Sequence, residues 1–62
     1  MTFPEALEEL HNGNSVQRAY WGNENTYIKK NSLGILEFCD FEETDEVLFT
    51  SDDVLATDWV VV

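Results

Sequence analysis

Apolar residues recur at Phe3, Ala6, Leu7 and Leu10, the positions i, i+3, i+4 and i+7, while Glu5, Glu8 and Glu9 fall between them. That spacing predicts an amphipathic helix with one apolar stripe. Its start is written as Thr2-Phe3-Pro4-Glu5, a capping box in which the Thr2 hydroxyl accepts from a first-turn amide, Glu5 reaches back, and Pro4 stands where no amide donor is needed. Asn12-Gly13-Asn14 ends it, with Gly13 suited to the left-handed position after a helix. The segment from Val16 to Trp21 is rich in β-formers and predicts a strand. Gly22-Asn23-Glu24-Asn25 turns the chain, and Thr26 to Lys30 predicts the second strand of a hairpin. After the turn Asn31-Ser32-Leu33-Gly34, Ile35 to Phe41 predicts a third strand. Its alternation puts Leu36 and Phe38 on one face and Ile35, Cys39 and Phe41 on the other, and apolar groups on both faces place it centrally.

The run Glu42 to Glu46 reads as a solvated connection, because blocks of like charge resist burial. Val47-Leu48-Phe49 predicts a short return strand. Ser51-Asp52-Asp53 reads as an N-cap with acids in the first turn, Val54-Leu55-Ala56 completes a short helix, and Asp58 to Val62 predicts a terminal strand paired inside the sheet. The pattern predicts an α+β fold: an N-terminal helix packed on a small, mainly antiparallel sheet of about four or five strands, with a short helical turn before the last strand. Residues 1–62 form one domain, without linkers or repeats.

Sixty-two residues lie near the lower limit at which a chain stabilises a core without metals or disulfides. With 44% hydrophobic and 13% aromatic residues, the composition is that of a folded chain. A single cysteine excludes an internal disulfide and, with one histidine, leaves too few soft ligands for structural zinc. Cys39 reads as a small core hydrophobe. His11 sits where the negative end of the helix dipole stabilises it and needs no further role. No nucleophile–base pair, Gly-x-Ser-x-Gly elbow or phosphate loop occurs, so no enzyme and no cofactor are expected. The acids from Asp40 to Glu46 lack the spacing and turn glycine of a calcium loop, and no metal site is expected. No apolar run reaches the length of a membrane span and no basic-then-apolar leader is present, which gives the expectation of a soluble, cytoplasmic protein.

Charge changes the picture most. Thirteen Asp and Glu stand against Arg18, Lys29 and Lys30, for a net charge of −10. Nine of the thirteen lie from residue 37 onward, where no Lys or Arg appears, and six of them crowd into Glu37 to Glu46. A compact chain of this size spans about 27 Å, over which B-DNA carries roughly 16 phosphate charges. Direct binding to nucleic acid is disfavoured. Competition with nucleic acid for a basic protein groove is permitted, since ordered carboxylates meet Lys and Arg through charge-assisted hydrogen bonds and steer association.

A second pattern runs along both ends of the chain: Phe3 with Glu5-Ala6-Leu7-Glu8-Glu9-Leu10, then Gly13, Val16, Arg18 and Trp21, and later Ser51, Asp53, Val54-Leu55-Ala56 and Asp58-Trp59-Val60-Val61. This pairing of an Arg-x-x-Trp after the first helix with a closing Leu-Ala-x-Asp-Trp resembles the small phage domain family that includes the second type of Thoeris anti-defence protein. The resemblance implies an α+β fold, a phage origin, action in the bacterial host cell and often a homo-oligomer. It also implies a sponge for cyclic nucleotide signals, with anti-CRISPR activity among relatives.

Together these readings predict a non-catalytic phage counter-defence protein. The leading expectation is an anti-CRISPR-like inhibitor whose acidic surface mimics DNA and blocks the nucleic-acid-binding site of a host defence complex, through Glu37, Asp40, Glu42, Glu43, Asp45, Glu46, Asp52 and Asp53. The alternative is a sponge that holds a cyclic nucleotide in a pocket of Arg18, Trp21 and Asp58, probing a phosphate with the guanidinium and a base with the indole.

Overall fold

A computed structural model describes all of residues 1–62. The N-terminal helix α1 (Phe3–His11) starts at Thr2, whose hydroxyl accepts from the Glu5 amide while the Glu5 carboxylate accepts from the Thr2 amide. Those hydrogen bonds hold the Glu5 carboxyl below the usual carboxylate range. At the other end the Gly13 amide bonds the Leu10 carbonyl and the Asn14 amide bonds the Glu9 carbonyl, a Schellman closure. It is the left-handed Gly13, at φ 93°, that permits it.

Five strands follow: β1 (Val16–Arg18), β2 (Thr26–Lys30), β3 (Leu36–Asp40), β4 (Glu43–Glu46) and β5 (Trp59–Val61). All pairings are antiparallel and the order across the sheet is β4-β3-β2-β1-β5. A second short helix, α2 (Ser51–Leu55), precedes β5. The fold is therefore α+β, as the sequence predicts. α1 covers one face of the sheet, and the core it closes is small: Ala6 and Leu10 from the helix meet Val16, Ile28 and Trp59 from three strands. Leu7, predicted on the helix stripe, stays 39% exposed. Cys39 is buried on the opposite face of the sheet, between its cross-strand neighbours Tyr27 and Thr44.

Several local expectations change. The strand predicted from Val16 to Trp21 stops at Arg18, and Ala19–Trp21 winds into a 3-10 turn closed by left-handed Gly22. Strand alternation would have sent Trp21 to the face away from Val16. The turn swings it back to the helix side, where its ring packs edge-on against Phe38 at 5.5 Å and Trp59 at 5.7 Å. Ile35 and Phe41 fall outside β3 and are exposed, so the second face of that strand is less apolar than its sequence suggests. The acidic run is not a connection: Glu43–Glu46 is a strand, because the hairpin turn Phe41-Glu42 folds it against β3 in register. Val47-Leu48-Phe49, predicted as a strand, joins no ladder, although Phe49 packs on Phe3 at 4.9 Å. Thr50, not Ser51, caps α2, and it forms a second capping box with Asp53. β5 lies at a sheet edge beyond β1, not inside the sheet.

The turn at Phe41 carries a visible cost. Its φ of 56° is the left-handed region that glycine occupies freely and other residues enter at about 1–2 kcal/mol. Its side chain is 66% exposed and recovers little by packing. Phe41→Gly is expected to stabilise the domain by about 1 kcal/mol, a rise of roughly 4–8 °C in Tm. Thermal unfolding followed by circular dichroism checks it, and a fall in Tm would show that the ring contributes more than the backbone loses.

Candidate functional site

Two chemically distinct places emerge. The first is a groove of about 620 Å³ between the Ala19–Trp21 turn and α2, lined by Arg18, Tyr20, Trp21, Thr50, Asp52, Asp53, Leu55 and Ala56. Arg18 leaves the end of β1 and is held on two sides. Its Nη1 donates to Asp53 Oδ1 at 2.7 Å and its Nε donates to Asp58 Oδ1. Asp58 Oδ2 also accepts from the Tyr20 amide at 2.9 Å, and the Asp58 carbonyl accepts from the Ala19 amide, so the turn is fastened to the residue just ahead of β5. Asp53 is tied still more closely: Oδ2 accepts from the Thr50 amide, its own amide bonds the Thr50 hydroxyl, and its carbonyl accepts from Trp59 Nε1 at 3.0 Å.

The electrostatic consequence is a guanidinium already balanced. Its bond to Asp58, and secondarily to Asp53, raises the Arg18 pKa further, and the same bond holds the Asp58 carboxyl below its usual range. A guanidinium has five N–H donors; the two carboxylates engage Nε–H and one on Nη1, which leaves three for another acceptor. The guanidinium carbon also stands 5.7 Å from the centre of the Tyr20 ring, itself 81% exposed. Tyr20 is a lining residue that the sequence reading does not single out. It becomes visible only once the chain leaves β1 for the 3-10 turn, and Gly22 is the one local mark of that departure.

The second place is the hairpin of β3 and β4. It gathers Glu37, Asp40, Glu42, Glu43, Asp45 and Glu46, while Asp52 and Asp53 stand apart on α2. The register sets Glu37 directly opposite Glu46 and Asp40 opposite Glu43. Alternation then splits the acids over both faces of the ribbon: Asp40, Glu43 and Asp45 on the α1 side, Glu37 and Glu46 on the other. Some are engaged internally, Asp40 by the Thr26 hydroxyl at 3.1 Å and Glu37 by the Asn31 amide group at 2.8 Å.

Placement sorts the expected site residues. Arg18 and Trp21 do share a groove, and Asp52 lines it, whereas Asp58 serves as the clamp behind Arg18 and is not part of the lining. Asp53, expected as an outward contact, has a side chain only 14% exposed and acts as a joint between β1, α2 and the Trp59 indole. No helix is long and apolar enough to cross a membrane.

Comparison with known proteins adds one positive finding. Residues 1–62 match the family model of the Thoeris anti-defense 2-like domain. No curated protein matches the chain. The match spans the whole chain, the groove included, and the chain belongs to the Thoeris anti-defense 2-like family, a family of phage counter-defence.

Proposed function

We propose that the protein counters host defence by sequestration, binding a cyclic nucleotide signal in the groove between the Ala19–Trp21 turn and α2 and withholding it from its receptor. The observation that carries this reading is a convergence. Arg18 and Trp21 at one end of the chain and Thr50 to Ala56 at the other are brought together around a single groove. Its volume of about 620 Å³ falls within the usual range for small-ligand sites, roughly 300–1,000 Å³. Tyr20 and Trp21 supply aromatic surface for a base, each stacking contact contributing about 1–3 kcal/mol. Arg18 has N–H groups to spare, and the carboxylates beside it fix the plane in which they point. Sequestration needs no turnover, only enough protein to match the signal.

Calorimetry against a panel of cyclic mono- and dinucleotides tests the reading. One of them is expected to bind with a defined stoichiometry. Tyr20→Ala is the cleanest variant, since Tyr20 is largely exposed and its loss spares the core; a weakening of roughly 5- to 150-fold is expected from one lost stacking contact. Absence of binding across the panel, in protein that still protects phage, would overturn the proposal.

The hairpin supports a second reading, the DNA-like decoy. The specific observation is the pair of directly opposed like charges, Glu37 with Glu46 and Asp40 with Glu43. Such pairs cost stability, and a function that needs carboxylates held in fixed positions on the ribbon is one reason to retain them. Reversing Glu42, Glu43, Asp45 and Glu46 to Lys separates the two readings. The reversal creates opposite-charge pairs with Asp40 and Glu37, so the fold is expected to gain about 0.2–1 kcal/mol per pair. Under sequestration, protection of phage survives the change; under the decoy reading it is abolished.

A further inference from the structure

Within the groove the balance of charge is unusual for a site that takes a nucleotide. Arg18 contributes one positive charge, while Asp53 and Asp58 hold it and Asp52 stands exposed in the lining without a hydrogen-bond partner. Neither Lys29 nor Lys30 is among the lining residues. The local sum is therefore negative, and the hydrogen bond between Arg18 and Asp58 favours the charged form of each.

We infer that Asp52 acts as a charge filter that admits cyclic phosphodiesters and turns away nucleotides ending in a free phosphate. This inference rests on the sequestration reading. A cyclic phosphodiester carries one negative charge per phosphate and spreads it over two non-bridging oxygens. A terminal phosphate monoester approaches two charges at neutral pH, and its second charge has no cation to meet: Arg18 offers N–H donors but no unbalanced charge. Asp52 accepts only from donors, so it suits a sugar hydroxyl or an exocyclic amine and repels the monoester. Tyr20 and Trp21 do not discriminate here, because cyclic and linear forms present the same base. Discrimination therefore falls to Asp52, the one lining carboxylate not committed to Arg18.

The test compares matched pairs by calorimetry on the full chain: 3′,5′-cyclic AMP with 5′-AMP, and cyclic di-AMP with linear 5′-pApA. The cyclic member of a pair is expected to bind roughly tenfold or more tightly at low salt, as one extra unscreened charge near a carboxylate requires. In Asp52→Asn that ratio is expected to fall below about threefold, and about 0.5 M salt is expected to compress it in the same way. Asp52 lies exposed at the second position of α2, and Asp52→Ser serves as a second variant if the amide disturbs the helix. A ratio near one, or a ratio that neither the Asn variant nor salt changes, overturns the filter while leaving sequestration standing. The second of those results assigns the preference to ring shape. Absence of binding for both cyclic members overturns the filter, and sequestration falls with it only when the whole panel of cyclic nucleotides also fails to bind.

Discussion

Trp59→Ala is expected to unfold the protein at room temperature. The indole is 1% exposed and is the largest fully buried side chain in the chain. Three rings converge on it, Phe3 at 5.8 Å, Trp21 at 5.7 Å and Phe49 at 6.3 Å between centroids, so it joins α1, the 3-10 turn and the segment before α2. Truncating a buried Trp to Ala costs about 3–5 kcal/mol through lost transfer energy and the residual cavity. A domain of this length has roughly 3–9 kcal/mol to lose. The change also leaves the Asp53 carbonyl without its indole donor, which loosens α2. Loss of the cooperative thermal transition, with collapse of amide dispersion in NMR spectra, is the expected result. Trp59→Phe is expected to retain the fold at lower Tm, since it keeps most of the packing and loses the hydrogen bond. A cooperative transition in Trp59→Ala near the wild-type Tm would show that the three rings close over the gap.

How far the sequence anticipates this arrangement depends on which residues carry the signal. The 3.6-residue period of Phe3, Ala6 and Leu10, with its capping box, is a local pattern whose cause is local, and α1 forms where it is predicted. β2 is similarly legible from Thr26 to Lys30, because turn residues bound it on both sides. The acidic run is misread for a physical reason: Glu43-Thr44-Asp45-Glu46 has no apolar alternation, and its strand exists only because β3 supplies a register partner for each residue. An edge strand full of acids is also protected from pairing with other chains, which tolerates such a composition there. The site is legible in part. Arg18 and Trp21 can be nominated from their types and spacing, but the commitments of Arg18 to Asp53 and Asp58 span 35 and 40 residues of sequence, and no local pattern encodes them. Tyr20 depends on a single turn, and the distinction between Asp52 in the lining and Asp53 in the joint depends on one step of helix rotation.

Arg18→Met is expected to cost about 2–3 kcal/mol at pH 7, and that loss is expected to be smaller at pH 3. Methionine keeps the length and apolar contact of the stem, which lies by the Trp59 ring with the guanidinium carbon 5.9 Å from its centre. What it removes is the cation shared by Asp53 and Asp58. Breaking a fully buried pair leaves an uncompensated charge worth about 3–5 kcal/mol; here Asp53 is 14% and Asp58 35% exposed, so water offsets part of the loss. The sign with pH follows from Asp58. Its folded pKa lies below the unfolded value, so its contribution to stability is fully present above about pH 4 and is lost as pH falls through the folded pKa. In the variant the carboxylate has no cation to depress its pKa, and protonation relieves it. The two stability curves therefore converge in acid, and chemical denaturation at pH 7 and pH 3 measures the gap directly. A gap of the same size at both pH values would assign the effect to packing over Trp59. The comparison also fixes how nucleotide binding by Arg18 variants is to be read: a weakened site in Arg18→Met reflects a loosened turn and α2 as well as lost donors, whereas Tyr20→Ala reports on the groove alone.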